Sequence, residues 1–296
     1  MLSGRSTSSF YGSVMDDAYT FCEALVRAAD KDRYLASLFA PAAARRHLHA
    51  LYAFASEIAR VRDAAREPLP GEIRLQWWRD VLQGQGRGQV SANPLAAALL
   101  DTIARSALPT DRLIALIDAH AFDLYDDAMP SLTDLDAYAE HTAGTLFALA
   151  AQILGGSDRA RAAAAPAAQA GIAYGVAQRL RTFSRDLARR QLFVPLDLLA
   201  QHGVTREEID AHQNKAGLRN ALAAMRDHVR AAFGRFGVAA PDIAESCAPA
   251  FLVAAVIPPL LARLDGAAAD PFANVEVPQW RRQWALWRAA RRWPAL

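Results

Sequence analysis

The stretch LHALYAFASEIARVRDAAREPLPGEIRLQWWRD, residues 48–80, decides how the chain folds. No glycine or proline interrupts residues 42–67, and Leu48, Leu51, Tyr52, Ala55, Ile58 and Ala59 recur at the spacing of one helix face. Pro41 stands where a first helical turn tolerates proline, and Pro68-Leu69-Pro70-Gly71 ends the run. The spacing predicts one buried helix over 42–67, then a second carrying Gln76-Trp77-Trp78-Arg79.

The same punctuation repeats on both sides. Helices are predicted over about 16–29, 94–106 and 110–122, followed by a long one capped by Ser131 or Thr133 and stopping at Gly155-Gly156. Others follow over 157–188, after the Thr205/Glu208 capping box, and over 216–236 and 242–264. Residues 1–13 are rich in Ser and Gly and read as disordered, and 84–93 reads as a flexible loop. No segment alternates as a strand does. The expectation is an all-α, single-domain bundle over 14–296, with 278–296 as a basic, Trp-rich C-terminal helix.

Composition narrows the function classes. With 53% hydrophobic and 22% charged residues the chain has a globular composition. A net charge of +2 provides no field for nucleic acid. Cys22 and Cys247 stand alone, so neither a zinc site nor a disulfide framework is indicated. No apolar run approaching 18 residues is evident by eye, and the first residues lack a signal-peptide core. These readings give a soluble or peripheral protein in the cytoplasm.

Tyr52-Ala53-Phe54 and Asp63 resemble the first signature helix of the squalene/phytoene synthase family, close to YAFCRxxDDxxD. The family's Arg falls on Ser56, and its adjacent aspartates fall on Ala59 and Arg60. YAEHTAGT, residues 138–145, resembles another family helix. GIAYGVAQRLRTFSRDLARRQLFVP, residues 171–195, aligns without a gap on the second signature, keeping Gly171, Ala173, Leu180, Arg181, Asp186 and Pro195. Gly175, Gln178 and Thr182 stand where the family has Gln, Asn and its first Asp. The resemblance implies an isoprenoid-synthase-like helical bundle.

Active relatives join two prenyl diphosphates through Mg²⁺ held by aspartates on facing helices. A D-x-x-x-D spacing sets two carboxylates one turn apart on a helix face. Only the last Asp of each signature remains here, Asp63 and Asp186, and Arg60 would repel a cation. The two aspartates are then salt-bridged core residues, or flank an anion site built on Arg60, Arg181 or Arg185, or hold one residual Mg²⁺. Arg60 or Arg185 is the expected neutralising partner. No metal site and no cofactor are assigned unless Mg²⁺ chemistry survives. Candidate cavity or ligand-binding residues are Tyr52, Ser56, Arg60, Asp63, Gly175, Gln178, Arg181, Thr182 and Asp186, with Ala59 and Gly171 also lining the space.

Other motifs read plainly. His47 and His49 occupy different helix faces and share no metal. One ring of Trp77-Trp78 is expected in the core and one at the surface. Asp123, Asp126 and Asp127, just before Pro130, suit solvent and turn roles. In VPQWRRQWALWRAARRWPAL, residues 277–296, Trp280, Trp284 and Trp287 share one helix face while Arg281 and Arg288 take others. That stripe either docks on the bundle or contacts a membrane or partner.

EIARVRD, EIRLQWWRD and FVPLDLLAQHGV resemble the non-canonical branch related to a mitochondrial respiratory complex I assembly factor. The resemblance implies a non-catalytic assembly factor that binds a complex I subunit or an isoprenoid-like lipid, with a peripheral contact to the inner membrane as the accompanying expectation. The alternative is an active Mg²⁺-dependent squalene or phytoene synthase.

Overall fold

A computed structural model describes residues 5–64, 67–88 and 90–295. Its helices in order are α1 (Arg5–Ala29), α2 (Lys31–Ser37), α3 (Ala42–Ala59), α4 (Val61–Ala64), α5 (Pro68–Leu82), α6 (Pro94–Ser106), α7 (Thr110–Ala121) and α8 (Leu132–Ala139). They continue with α9 (Thr145–Ala162), α10 (Ala164–Ala188), α11 (Leu196–Gln201), α12 (Arg206–Asp210), α13 (Lys215–Ala239), α14 (Ala248–Phe251), α15 (Ile257–Gly266) and α16 (Gln279–Arg292). Among the described residues there is no strand, only an isolated bridge between Ala128 and Leu192. The fold is all-α. The expected disordered segment, residues 1–13, lies partly outside the described residues, and α1 begins at Arg5.

Local chemistry sets many helix ends. The Asn93 side chain accepts from the backbone N–H groups of Leu95 and Ala96, with Pro94 opening α6. Ser131 caps α8, and Thr205 with Glu208 closes both arms of a capping box on α12. Packing does the rest. In α3, Leu48, Leu51, Phe54 and Ile58 are at most 1% exposed. Burying each such side chain contributes roughly 1.5–3 kcal/mol. Trp78 is buried at 1% and Trp77 only partly.

Three expectations need correction. The helix predicted over 42–67 breaks at Arg60 (φ −100°, ψ 3°). There Arg60 N–H donates to the Glu57 carbonyl at 3.3 Å and Asp63 N–H to the Arg60 carbonyl at 3.0 Å, a tightened turn. Tertiary contacts demand it: Val61 is buried, and Arg62 donates to the Leu124 carbonyl and pairs with Asp126 at 2.7 Å. The long helix predicted after Ser131 contains a π turn at Glu140–Gly144, while its expected stop at Gly155-Gly156 is present as a non-helical Gly156 (φ 80°, ψ 175°). The helix predicted over 242–264 is cut into 3-10 and α pieces around Pro249, Pro258 and Pro259. An 18-residue window in Glu245–Gly266 reaches a mean hydropathy of 1.8, more apolar than the sequence reading allowed, yet 72% of it is buried in the bundle.

The centre of the bundle is α10, which packs on α13, α9, α8, α15 and the π turn. The closest approach is glycine on glycine. A Cβ placed on Gly171 would lie 2.3 Å from Cα of Gly144, so backbone meets backbone where the second signature crosses the π turn. Gly171 therefore serves the crossing, and does not line the interhelical space as expected.

Candidate functional site

Between α2, α3, α7, the π turn, α10 and α16 lies a cavity of about 310 Å³. Tyr52, Ser56, Ala59 and Arg60 reach it from the first signature, and Gly175, Gln178, Arg181 and Thr182 from the second. Residues one turn apart on two facing helices are thus brought to one space. Asp63 and Asp186 are not on that wall. Asp63 lies over a second depression, formed with Glu57 and Arg74 on the other side of Ser56 and Arg60, and Asp186 lies over a small void beside Phe193.

Of the two arginines expected to neutralise the aspartates, Arg185 pairs with Asp186 and Arg60 pairs with neither. Asp63 pairs with Arg189, both side chains being about two-fifths exposed. Asp186 is buried; it accepts from the Thr182 hydroxyl and faces Arg179 at 3.5 Å and Arg185 at 3.8 Å. Burial raises the Asp186 pKa, against the opposing pull of Arg179 and Thr182. Arg60 makes no ion pair among the described residues. The break at Arg60 removes the common helix face that the pairing with Asp63 required.

The cavity wall is strongly basic. Lys31, Arg33, Arg60, Arg179, Arg181, Arg185 and Arg282 line it, against Asp30 and Asp32. Arg33 lies in the first turn of α2, whose cap Asp30 accepts from Arg33 N–H at 3.0 Å and from its guanidinium at 2.7 Å. Its cation lies over the rings of Tyr174 (4.9 Å) and Tyr52 (5.7 Å). Arg179 lies over Phe193 at 4.5 Å. Arg282 reaches in from α16 to Asp32 at 2.7 Å, and burial raises the Asp32 pKa against that pull. Arg181 is held by Gln178 and Glu276. Ala55, Ala59, Leu116, Ala143 and Leu146 form an apolar floor. Such a space suits a ligand with an anionic end and an apolar body.

Beside the cavity, Asp123 is buried and bonds His120 at 2.7 Å and the Tyr138 hydroxyl at 3.0 Å. This corrects the solvent role expected for it; Asp126 pairs with Arg62 and Asp127 is exposed. Sequence reasoning also missed Arg33, Arg179, Tyr174 and Arg282. The D-x-x-R spacing at Asp30 and Arg33 was a usable local signal for one of them. His47 and His49 do face apart, His47 to Tyr19 and Thr102, His49 to Ser37.

The squalene/phytoene synthase family pattern matches residues 26–288. The chain belongs to this family. It is 32% identical over 218 residues to NADH dehydrogenase (ubiquinone) complex I, assembly factor 6, of Rattus norvegicus, covering 74% of this chain and 65% of that protein. The matched region thus spans just under two thirds of that relative. A phytoene synthase of Thermus thermophilus is 30% identical over 214 residues, 71% of this chain and 70% of that protein. The crystal structure of a squalene synthase from Alicyclobacillus acidocaldarius superimposes with a TM-score of 0.70 at 24% identity, covering 87% of this chain and 97% of that one. It shows the same fold.

The Mg²⁺ that the squalene/phytoene synthase family implies needs several oxygen donors on facing helices. Among the described residues no three or more His, Cys, Asp or Glu side chains are grouped to hold a metal ion. The acids at and beneath the cavity wall each have an arginine: Asp30 has Arg33, Asp32 has Arg282 and Asp186 has Arg179. This donor set does not fit Mg²⁺.

Proposed function

We propose that this chain is a non-catalytic member of its family, a pseudoenzyme with degenerate aspartate motifs that acts in the cytoplasm as an assembly or binding factor linked to respiratory complex I. The observation that carries the reading is a retained cavity in which Ala59, Arg60 and Thr182 stand at the aspartate positions of the motifs, and whose wall carries seven cations against Asp30 and Asp32. Ionising a diphosphate leaving group through Mg²⁺ requires carboxylates that converge, whereas Asp63 and Asp186 lie on separate pockets and are each matched to arginine. A wall of guanidinium groups instead holds an anion directly. The likeness to proteins named as complex I assembly factors supports the assembly role. An isoprenoid-like lipid with an anionic end, or an acidic segment of a complex I subunit, matches the cavity's charge and apolar floor.

The test is an incubation of purified protein with Mg²⁺ and farnesyl or geranylgeranyl diphosphate, alongside deletion of the gene in its host. The expected result is no C30 or C40 product, with loss of assembled complex I on deletion. Turnover to either product would establish the alternative, a head-to-head prenyl transferase.

A further inference from the structure

Helix α16 carries two chemically different faces. Leu286 and Ala289 are buried at 1% and 3%, and Trp293 packs beside Phe251, so one face is anchored in the bundle. Arg282 on that side reaches into the cavity to Asp32. The opposite face is open. Trp280, Trp284 and Trp287 are 63%, 57% and 41% exposed, the largest apolar side chains left on the surface. Trp284 and Trp287 stack at 4.9 Å, Arg281 lies 5.2 Å over Trp280 and Arg291 4.6 Å over Trp287. Arg288 and Arg292 are exposed beside them, and no acidic residue occurs after Glu276, which is itself turned to Arg181.

Three neighbouring tryptophans left in water oppose the usual burial of such rings. Indole combines an apolar body with one N–H donor, which suits the boundary between acyl chains and headgroups. Guanidinium groups ringing that stripe, with no acid among them, match a negatively charged surface. We infer that the outer face of α16 docks on an anionic bilayer surface, with Trp280, Trp284 and Trp287 entering the headgroup boundary and Arg281, Arg288 and Arg291 meeting lipid phosphates. The face is held in register because its inner side is fixed to the bundle, so docking needs no refolding. This surface is independent of what occupies the cavity and of whether the protein is an enzyme.

The experiment sediments the full-length protein with phosphatidylcholine vesicles made with or without phosphatidylglycerol. The wild type is expected to pellet only with the anionic vesicles, and to be released by salt. Arg281→Gln with Arg288→Gln should weaken binding on the order of thirtyfold, since each arginine near the surface raises partitioning roughly fivefold. Trp280→Ser, Trp284→Ser and Trp287→Ser together should abolish it without changing helix content. A second readout is fluorescence quenching by brominated acyl chains, expected for the wild type and lost in the triple variant, which keeps Trp77, Trp78 and Trp293. Should the triple variant fold poorly, the arginine pair and the quenching decide. The inference is overturned if the wild type ignores anionic vesicles, or if both variants bind as the wild type does. It is also overturned if the tryptophan face proves to join two copies, seen as a dimer in sedimentation velocity that the triple variant loses while no vesicle binding occurs.

Discussion

Asp63 and Asp186 close the same pattern in two signature helices, yet they occupy opposite environments. The second signature runs unbroken through α10, and its aspartate ends 4% exposed among Thr182, Arg179 and Arg185. The first breaks at Arg60, and its aspartate meets Arg189 at the surface. A shared sequence motif therefore says which residues could face a common space. Helix continuity decides how deeply the closing aspartate is buried, and in neither helix does that aspartate reach the cavity wall.

The largest effect expected from this contrast is that of Asp186→Ala. It would leave the partly buried Arg179 cation short of its counterion and the Thr182 hydroxyl short of its acceptor, costing roughly 2–4 kcal/mol in chemical denaturation. Gly171→Ala tests the continuity of the same helix. Forcing a methyl against the Gly144 backbone should cost about 1–3 kcal/mol, or more if the crossing cannot spread. Asp63→Ala, by contrast, removes a pair exposed on both sides and should cost under about 1 kcal/mol. If Asp63→Ala proved as damaging as Asp186→Ala, the contrast between the two signatures would collapse.

The smallest effect concerns pH. The folded Asp186 pKa is raised by burial, so the folded state binds this proton more tightly than the unfolded chain. Stability contributed by this group is then present at low pH and falls as pH rises from the ordinary carboxylate value through the raised one. Melting curves of the wild type and Asp186→Asn across the acidic range should diverge in that direction, with the variant losing the slope. A difference that grows in the wild type's favour as pH rises would mean that Arg179 and Arg185 outweigh burial.

The features legible in the sequence were the local ones. The Thr205/Glu208 box and the Ser131 cap depend on side chains three residues away, and the 3.6-residue stripe of α3 on its own spacing. The cavity positions on α3 and α10 could be read because one-turn spacing and the family resemblance aligned them. The break at Arg60 left no mark, since no glycine or proline stands there; it follows from Arg62 reaching Leu124 and Asp126, over sixty positions away. The same holds for Asp123, whose burial depends on Tyr138 arriving from α8 and Gln191 from the loop after α10. Arg179 was hidden between residues that carried the motif.

The ion pair between Arg282 and Asp32 joins α16 to α2 across 250 positions. During synthesis α2 emerges long before α16 exists, and domains assemble from the N-terminal side first. Until α16 docks, Asp32 lacks its ion-pair partner Arg282. Docking of α16 is therefore among the last folding events, and it adds Arg282 to a wall that already carries Lys31, Arg33, Arg60, Arg179, Arg181 and Arg185.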